Sequence, residues 1–549
     1  MMSEPAAGLG VEDAQRGAEP ADAVGPLMRG MSVIRALTEA GGAQSLPELS
    51  REVGLARATL DRVLATLESL GYVRFHRKEA VLTPRLMELG NAYLHSVRIP
   101  TLLGPLAQQL SERLDEIVTL TVTQEDGAYV VQEAVRPRKL VIVCHVGDRL
   151  PVDRCAGGVL FAATWDEQRW ERYAASHACT RDDGDSRACA VEMRRRVEPA
   201  QDRGYVLDDQ WLEPGLVAVG MPVYGPDGAE ACTANVLSFT TRHSTAAELA
   251  DAVIPALRES VRAMERALRS TPRSATKRTE SPPRVHAGPG AMESFARGLA
   301  VLGAFSESQP SLSIADGSRA TGLPRATVRR ALITLEHLGY VRQVDGHYQP
   351  TASVLSLGYP VLTRLTLAQI AATHLEALSS SVNNSASMAV LHDDTEIVYV
   401  GRAATAARLM SVDIQIGSHL PAYATAMGRV LLAQLPVDQR TKALRAARPQ
   451  PLTPQTVTDR GQLLQLLRQV EEDGYAVVDE ELEIGLRSVA VPVPGHDGKT
   501  IAAINVAMHA DRDTAQDITA AVLPYLRSAA QAIHQDLAIV GPFHRLSQL

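Results

Sequence analysis

Apolar side chains recur at the spacing i, i+3, i+4, i+7 and i+10 in two places along this chain: at Leu60, Val63, Leu64, Leu67 and Leu70, and at Val328, Ala331, Leu332, Leu335 and Leu338. That period gives a helix one buried stripe, so each stretch predicts a helix packed against neighbours. Upstream of the first, PELSREVGLARATL at 47–60 has the shape of a short helix, a Gly54-Leu55 turn and a second helix. Elsewhere the runs VTLTVTQ at 118–124, ASMAVLH at 386–392 and IAAINVAM at 501–508 predict strands. Hairpin turns are expected at Glu125-Asp126-Gly127, Asp227-Gly228 and Asp497-Gly498, because Asp-Gly supplies the positive φ of a tight turn.

These elements occur twice. LATLESLGYVR at 64–74 returns as LITLEHLGYVR at 332–342, GDRLP at 147–151 as GSHLP at 417–421, DRGYVLDD at 202–209 as EDGYAVVD at 472–479, and VIPALRES at 253–260 as VLPYLRSA at 522–529. The offset stays between 268 and 270, so a whole multi-domain unit is duplicated. The division that follows is a disordered tail at 1–26, a helical head with a terminal hairpin at 27–95, a mixed α+β domain at 101–269, a linker at 270–290, a second head at 291–359 and a second mixed domain at 366–540.

Composition narrows the class. The chain has 549 residues, of which 45% are hydrophobic, enough for an ordinary core in each repeat. No run of 18 apolar residues occurs and the N-terminus carries no basic flank or apolar stretch, so a cytoplasmic protein without a membrane partner is expected. A net charge of −8 argues against whole-surface nucleic-acid binding but leaves room for a small basic reading head. The five cysteines fall in the first repeat without a CxxC pair, and the His177, Cys179, Cys189 spacing matches no common zinc pattern; reduced thiols and no metal are expected.

Opposite the apolar stripe, the first helix carries Arg57, Thr59 and Arg62 at its start and the second carries Arg325, Thr327, Arg329 and Arg330. A lone Arg-rich helix reads first as a solvated face. Here each helix is followed by Gly-Tyr-Val-Arg and a hairpin (73–84 and 341–351), the order of a winged helix with a basic wing, and the pattern occurs twice. These residues are therefore candidates for contact with a double-stranded DNA operator. Asp61 stands where Arg329 stands in the other copy, so the two heads are expected to prefer different half-sites. Pairing within one chain would make a pseudo-dimer; pairing of like heads would make a homodimer.

The segments FARGLAVLGAF at 295–305, LPRATVRRALITLEHLGYV at 323–341, LPAYATAMGRVLLA at 420–433 and GYAVVDEELEIGLRSVAVPV at 474–493 resemble the isocitrate lyase regulator (IclR) family of bacterial transcription factors. The second repeat is most similar to the branch of the protocatechuate and β-ketoadipate regulator type; the first resembles the family clearly in its head and more loosely in its sensor. The resemblance implies two tandem units, each a winged helix-turn-helix followed by a GAF-like effector-binding domain. It also implies pairing through the heads and a small organic acid effector.

On the residues alone, Ala424-Thr425-Ala426-Met427-Gly428 opens an apolar helix whose free N–H groups suit an anion or, equally, close packing. The resemblance favours the first. It implies a ligand seat at the backbone of Ala426 and Met427, polar partners in Ser488 and Asn505, and an apolar wall of Leu409, Val412, Leu420 and Leu486. Val478 and Ala507 replace polar residues of some members, which suits an aromatic or longer acid. In the first sensor Val217 and Ala218 stand for Arg487 and Ser488, Pro214 for Ile484, and Trp211 for an acid, so that pocket is expected to be altered or lost. Gly317 stands where the other head has Leu49, which predicts a less stable second head. The acidic run Asp479, Glu480, Glu481, Glu483 reads as a solvated face, and His374, His392 and His419 accompany no nucleophile elbow, phosphate loop or HExxH, so no enzyme and no cofactor is expected. The alternative is a ligand-binding scaffold that has lost DNA binding.

Overall fold

The computed structural model describes residues 20–135, 144–175, 186–270, 288, 290–404, 414–510 and 515–541. They form two compact units, 1–363 and 364–549. The first unit holds both heads and the first sensor; the second is the second sensor.

Each head is a three-helix cluster with a hairpin. The first uses Gly25–Glu39, Leu46–Glu52 and Arg57–Ser69, then strands Val73–His76 and Glu79–Leu82. The second uses Glu293–Leu302, Ile314–Thr321 and Arg325–His337, then Val341–Val344 and His347–Pro350. Leu60, Val63, Leu64 and Leu67, and their counterparts Val328, Ala331, Leu332 and Leu335, are all buried, as the periodicity requires. Of the tail expected over 1–26, residues 1–19 lie outside the described residues, and Pro26 sits in the first turn of a helix that begins at Gly25.

The two heads pack on each other by a pseudo-two-fold arrangement. Helices Gly25–Glu39 and Glu293–Leu302 cross where each offers a glycine to a large side chain of the other. A Cβ on Gly30 would lie 2.2 Å from the Phe295 ring, and one on Gly298 would lie 2.6 Å from Leu27. Beside the crossing, the Val24 N–H donates to Thr334 Oγ1 at 2.9 Å and the Met292 N–H donates to Thr66 Oγ1 at 2.8 Å. Each threonine hydroxyl in turn donates to the carbonyl one turn back in its own helix, Arg62 or Arg330, at 2.7 Å. The N–H groups that open one head are therefore satisfied by the arginine-bearing helix of the other.

Gly317 has a packing reason. A Cβ there would meet Val328 Cγ1 at 2.8 Å, so the short helix lies closer to its partner than a leucine would allow. That helix also gains a capping box between Ser313 and Asp316, which offsets part of the glycine's cost.

The first sensor is a six-stranded antiparallel sheet in the order Arg149–Leu150, Gly127–Ala134, Ile117–Gln124, Glu230–Phe239, Leu216–Tyr224, Val206–Asp209. Helices Ile99–Leu114 and Ala246–Ser270 cover one face, and Ala156–Ala162 packs on the other. It also touches the second head: Ser353 Oγ donates to Gln124 Oε1 at 2.9 Å, Arg98 pairs with Glu307 at 3.2 Å, and buried Tyr359 fills the space beside Gly90 and Gly147. Cys189 takes part in a disulfide, which departs from the expectation of five reduced thiols, whereas Cys155 and Cys232 are buried.

The second unit repeats that sheet order with His419–Pro421, Glu396–Ala403, Ser385–His392, Thr500–His509, Leu486–Pro494 and Ala476–Asp479. Helices Leu367–Val382 and Ala515–Val540 cover one face and Ala426–Ala433 the other. The predicted turns hold, with positive φ at Gly228 and Gly498.

Gly30→Leu should force the heads apart and lower stability by about 2 kcal/mol or more, since overpacking a tight contact costs about 1–3 kcal/mol. Thr66→Val or Thr334→Val leaves a buried N–H unpaired and should cost about 1–3 kcal/mol. Chemical denaturation of the whole chain checks both: the transition of the first unit should shift and that of the second should not.

Candidate functional site

The candidate DNA-contact residues lie at the starts of two helices. Arg57 and Arg62 are exposed at the start of the first reading helix, Arg325, Arg329 and Arg330 at the start of the second, with Thr59 and Thr327 half-buried. The surroundings differ between copies. Arg57 is partly neutralised by Asp61 one turn on, Nε to Oδ1 at 2.8 Å. In the second head Asp22 reaches across from the N-terminal segment, its carboxylate 2.6 Å from Arg329 Nη1 and its carbonyl 3.3 Å from Arg330 Nε. The wings differ too. Arg77 and Lys78 form the first tip, whereas Asp345 and Gly346 form the second, so only one wing is basic at its tip.

In the second sensor a cavity of about 140 Å³ lies between the sheet and the helix Ala426–Ala433. Thr425 caps that helix, its Oγ1 accepting from the Gly428 N–H at 3.1 Å, which leaves the N–H groups of Ala426 and Met427 without partners inside the helix. Ala426, Met427, Leu486, Ser488 and Asn505 all line the cavity, as do Val478 and Ala507. Sheet register explains the polar pair: Ser488 lies opposite Ala507 and Asn505 opposite Ala490, which brings the two side chains together on one face. Asn505 Nδ2 donates to Ser488 Oγ at 2.8 Å, and Asn505 Oδ1 is buried without a partner among the described residues. Leu420 lies outside the lining, packed on the core beside its strand partner Ile397. Leu409 and Val412 fall outside the described residues.

Sequence reasoning missed the polar residues around the rest of the cavity, among them Ser387, Tyr399, Arg402 and His509. Ser387 was discoverable, since it pairs with Asn505 across the central strands. Burial pushes the Tyr399 hydroxyl up to about 12, so it remains a donor at neutral pH.

The acidic run is solvated only in part: Glu483 is exposed, but Glu481 is buried. Asp479 takes a two-pronged pair from Arg487 at 2.8 and 2.9 Å, and Glu481, 8% exposed, pairs with buried Arg429 at 2.6 Å. Glu481 is drawn in by Arg429, 52 residues away in sequence, which no local charge pattern shows, whereas Arg487 faces the partly exposed Asp479 from the paired strand.

The first sensor's cavity is about 20 Å³, room for about one water. Asp208 stands in the place of Val478, 5% exposed, with its Oδ1 accepting from the Trp211 N–H at 3.0 Å. Asn235, the counterpart of Asn505, turns its amide nitrogen to Thr121 Oγ1 at 3.2 Å.

The family described as "IclR helix-turn-helix domain" matches residues 26–77 and again 294–345, and "Bacterial transcriptional regulator IclR C-terminal" matches 91–266 and 359–535. The chain belongs to the IclR family of bacterial transcriptional regulators. Like its relatives it is a regulator and not an enzyme. The Pca regulon regulatory protein of Pseudomonas putida is 42% identical over 45% of this chain and 85% of its own length. The p-hydroxybenzoate hydroxylase transcriptional activator of Acinetobacter baylyi is 33% identical over 44% and 89%. A solved transcriptional regulator from Rhodococcus sp. RHA1 is 44% identical over 45% of this chain and 99% of its own, with a TM-score of 0.43. A single-unit relative thus covers half of this IclR chain. No helix among the described residues is long and apolar enough to cross a membrane.

Burial pushes the Asp208 carboxyl up to about 7, from an ordinary aspartate value of 3.8. A folded value above the unfolded one contributes stability that is complete below about pH 4 and is lost as pH rises through about 7. Melting of the first unit, followed by the emission of Trp165, Trp170 and Trp211, should therefore weaken between about pH 4 and pH 7, and Asp208→Asn should flatten that dependence.

Proposed function

We propose that this IclR regulator senses a small aromatic hydroxy acid in its second pocket and reads a two-part, asymmetric DNA operator with the two heads of one chain. The observation that carries the ligand reading is the pairing of donors with one open acceptor. The Ala426 and Met427 N–H groups and the Ser488 hydroxyl, whose lone pair is taken by Asn505, are suited to a carboxylate, while buried Asn505 Oδ1 requires a donor such as a ligand hydroxyl. The volume supports one ring, since an apolar cavity of about 150 Å³ accepts benzene. Similarity to regulators named for the Pca regulon and for p-hydroxybenzoate hydroxylase points the same way.

Calorimetry with benzoate, 4-hydroxybenzoate, 3,4-dihydroxybenzoate and adipate should show one binding event, strongest for a hydroxybenzoate. Asn505→Leu should weaken it about tenfold, the equivalent of about 1.4 kcal/mol. Tryptophan emission should stay constant, because all three tryptophans belong to the first sensor. Absence of binding by every acid at millimolar concentration overturns the ligand reading.

For DNA, the intramolecular head pairing and the differing reading helices support unequal half-sites. Sites selected from random DNA should be imperfect repeats bound by unlike heads, and Arg325→Ala or Arg330→Ala should weaken binding by about 1–3 kcal/mol. Asp22→Asn should strengthen it only a few-fold, since an exposed ion pair is worth about 0–1 kcal/mol. A perfect palindrome bound through like heads contradicts the intramolecular reading, and failure to bind DNA at any salt concentration would leave a ligand-binding scaffold.

A further inference from the structure

The buried pair Arg429–Glu481 joins two parts of the second pocket that are distant in sequence. Arg429 lies one turn into the helix whose start lines the cavity, and it is 3% exposed. Its Nε donates to the Tyr423 carbonyl at 2.9 Å and its Nη2 to Glu481 Oε2 at 2.6 Å. Glu481 Oε2 also accepts the Val457 N–H at 2.9 Å, and the Glu481 carbonyl accepts Thr456 Oγ1 at 2.6 Å. Immediately after Glu481 come Leu482, Glu483, Ile484 and Gly485, which form a rim of the cavity. Ile484 is 67% exposed there, an apolar side chain held in solvent beside an opening. Arg429 thus grips the turn before the helix start with one nitrogen and the base of the rim with another.

The same chain contains a control. At the corresponding positions the first sensor has Val159, fully buried, and Trp211, over whose ring the Arg196 guanidinium stacks at 4.0 Å. Both partners of the ion pair are absent together. The first sensor keeps the same six-stranded order, so the fold does not need the pair. The cavity differs with it, about 140 Å³ with the pair and about 20 Å³ without it, where Asp208 and Ala218 also replace Val478 and Ser488 in the lining. Energetics agree: exchanging a buried ion pair for packed apolar groups is often neutral for stability, whereas breaking it on one side is not.

We propose that Arg429 and Glu481 are positioning residues of the ligand pocket, fixing the distance between the helix start at Ala426 and the rim at 482–485 so that an acid can enter and be held. This rests on the reading of that cavity as the acid site. Neither residue needs to touch the ligand. The pair sets where the Ala426 and Met427 N–H groups stand relative to Ser488 and the rim, and an apolar pair removes that tie.

The test transplants the first sensor's solution into the second, in the full chain, as Arg429→Val with Glu481→Trp, using 4-hydroxybenzoate as probe. Each single change should lower the melting temperature of the second unit. The double change should recover it while the affinity for 4-hydroxybenzoate stays weakened by about tenfold or more. A merely structural pair would recover both together, and that result overturns the proposal. If the double variant does not fold, Arg429→Lys decides. It keeps the charge but not the two-pronged reach, and should weaken the probe several-fold at an unchanged melting temperature; undiminished affinity overturns the proposal. If the wild-type chain binds none of the acids, the ligand reading fails by itself and hydrogen exchange decides instead. The amides of 424–428 and 481–486 should then change protection together in the folded variant while the rest of the sheet does not, and unchanged exchange in both segments overturns the positioning role.

Discussion

The close crossing of Gly25–Glu39 with Glu293–Leu302 is the contact on which the first unit depends. Two helices approach this closely only where side chains are missing, and here the missing ones are Gly30 and Gly298, each receiving the large residue of the opposite helix. The reciprocal N–H bonds to Thr66 and Thr334 extend the crossing into the reading helices, because each threonine lies four residues beyond Arg62 or Arg330. Head pairing and reading-helix placement are thus one arrangement. Buried N–H groups fix its register, since a slip would leave two donors unsatisfied.

Symmetry stops at the crossing. The pseudo-two-fold relates backbone and packing, but the charges around the two reading helices differ: Asp61 on one helix, Asp22 beside the other, a basic wing tip in one head and Asp345 in the other. Apolar packing fixes how the heads meet, and exposed charge is free to diverge because surface pairs contribute little to stability. The sensors diverge in the same manner at a different depth. Val159 and Asp208 are buried replacements and Trp211 a half-buried one; the Trp211 ring takes the Arg196 guanidinium and Asp208 accepts a backbone N–H.

Much of this was legible in the sequence, for identifiable reasons. The reading helices carry a full apolar stripe, and the central strands are long, apolar and bounded by Asp-Gly turns, so period and punctuation agree. Ala426, Met427, Leu486, Ser488 and Asn505 meet in one cavity because they sit in motifs the sequence displays whole. What was not legible depends on pairs of residues far apart. The pairing of Glu481 with Arg429 and the contact of Asp22 with Arg329 each join segments that no local pattern connects. The basic wing expected of the second head failed at its tip, where Asp345-Gly346 takes the positive-φ turn that Arg77 and Lys78 take in the first. Gly317 read as a weakness because a propensity scale sees one helix, whereas the structure shows two helices touching there.

Duplication removes a constraint that a symmetric pair cannot escape. In a homodimer every substitution appears twice, so a pocket that closes in one protomer closes in both, and a half-site preference that shifts in one head shifts in both. With two copies in one chain, the first sensor can carry Asp208 in a cavity of about 20 Å³ while the second keeps Arg429, Glu481 and a larger pocket. The first sensor nonetheless retains its place through contacts that do not involve its cavity: Gln124 with Ser353, Arg98 with Glu307, and Gly90 and Gly147 against Tyr359. Those contacts run to the second head and not to residues that line either cavity, so the packing that braces the heads and the lining of the cavities lie on separate residues. Separation of that kind is what lets one cavity shrink without loss of the packing.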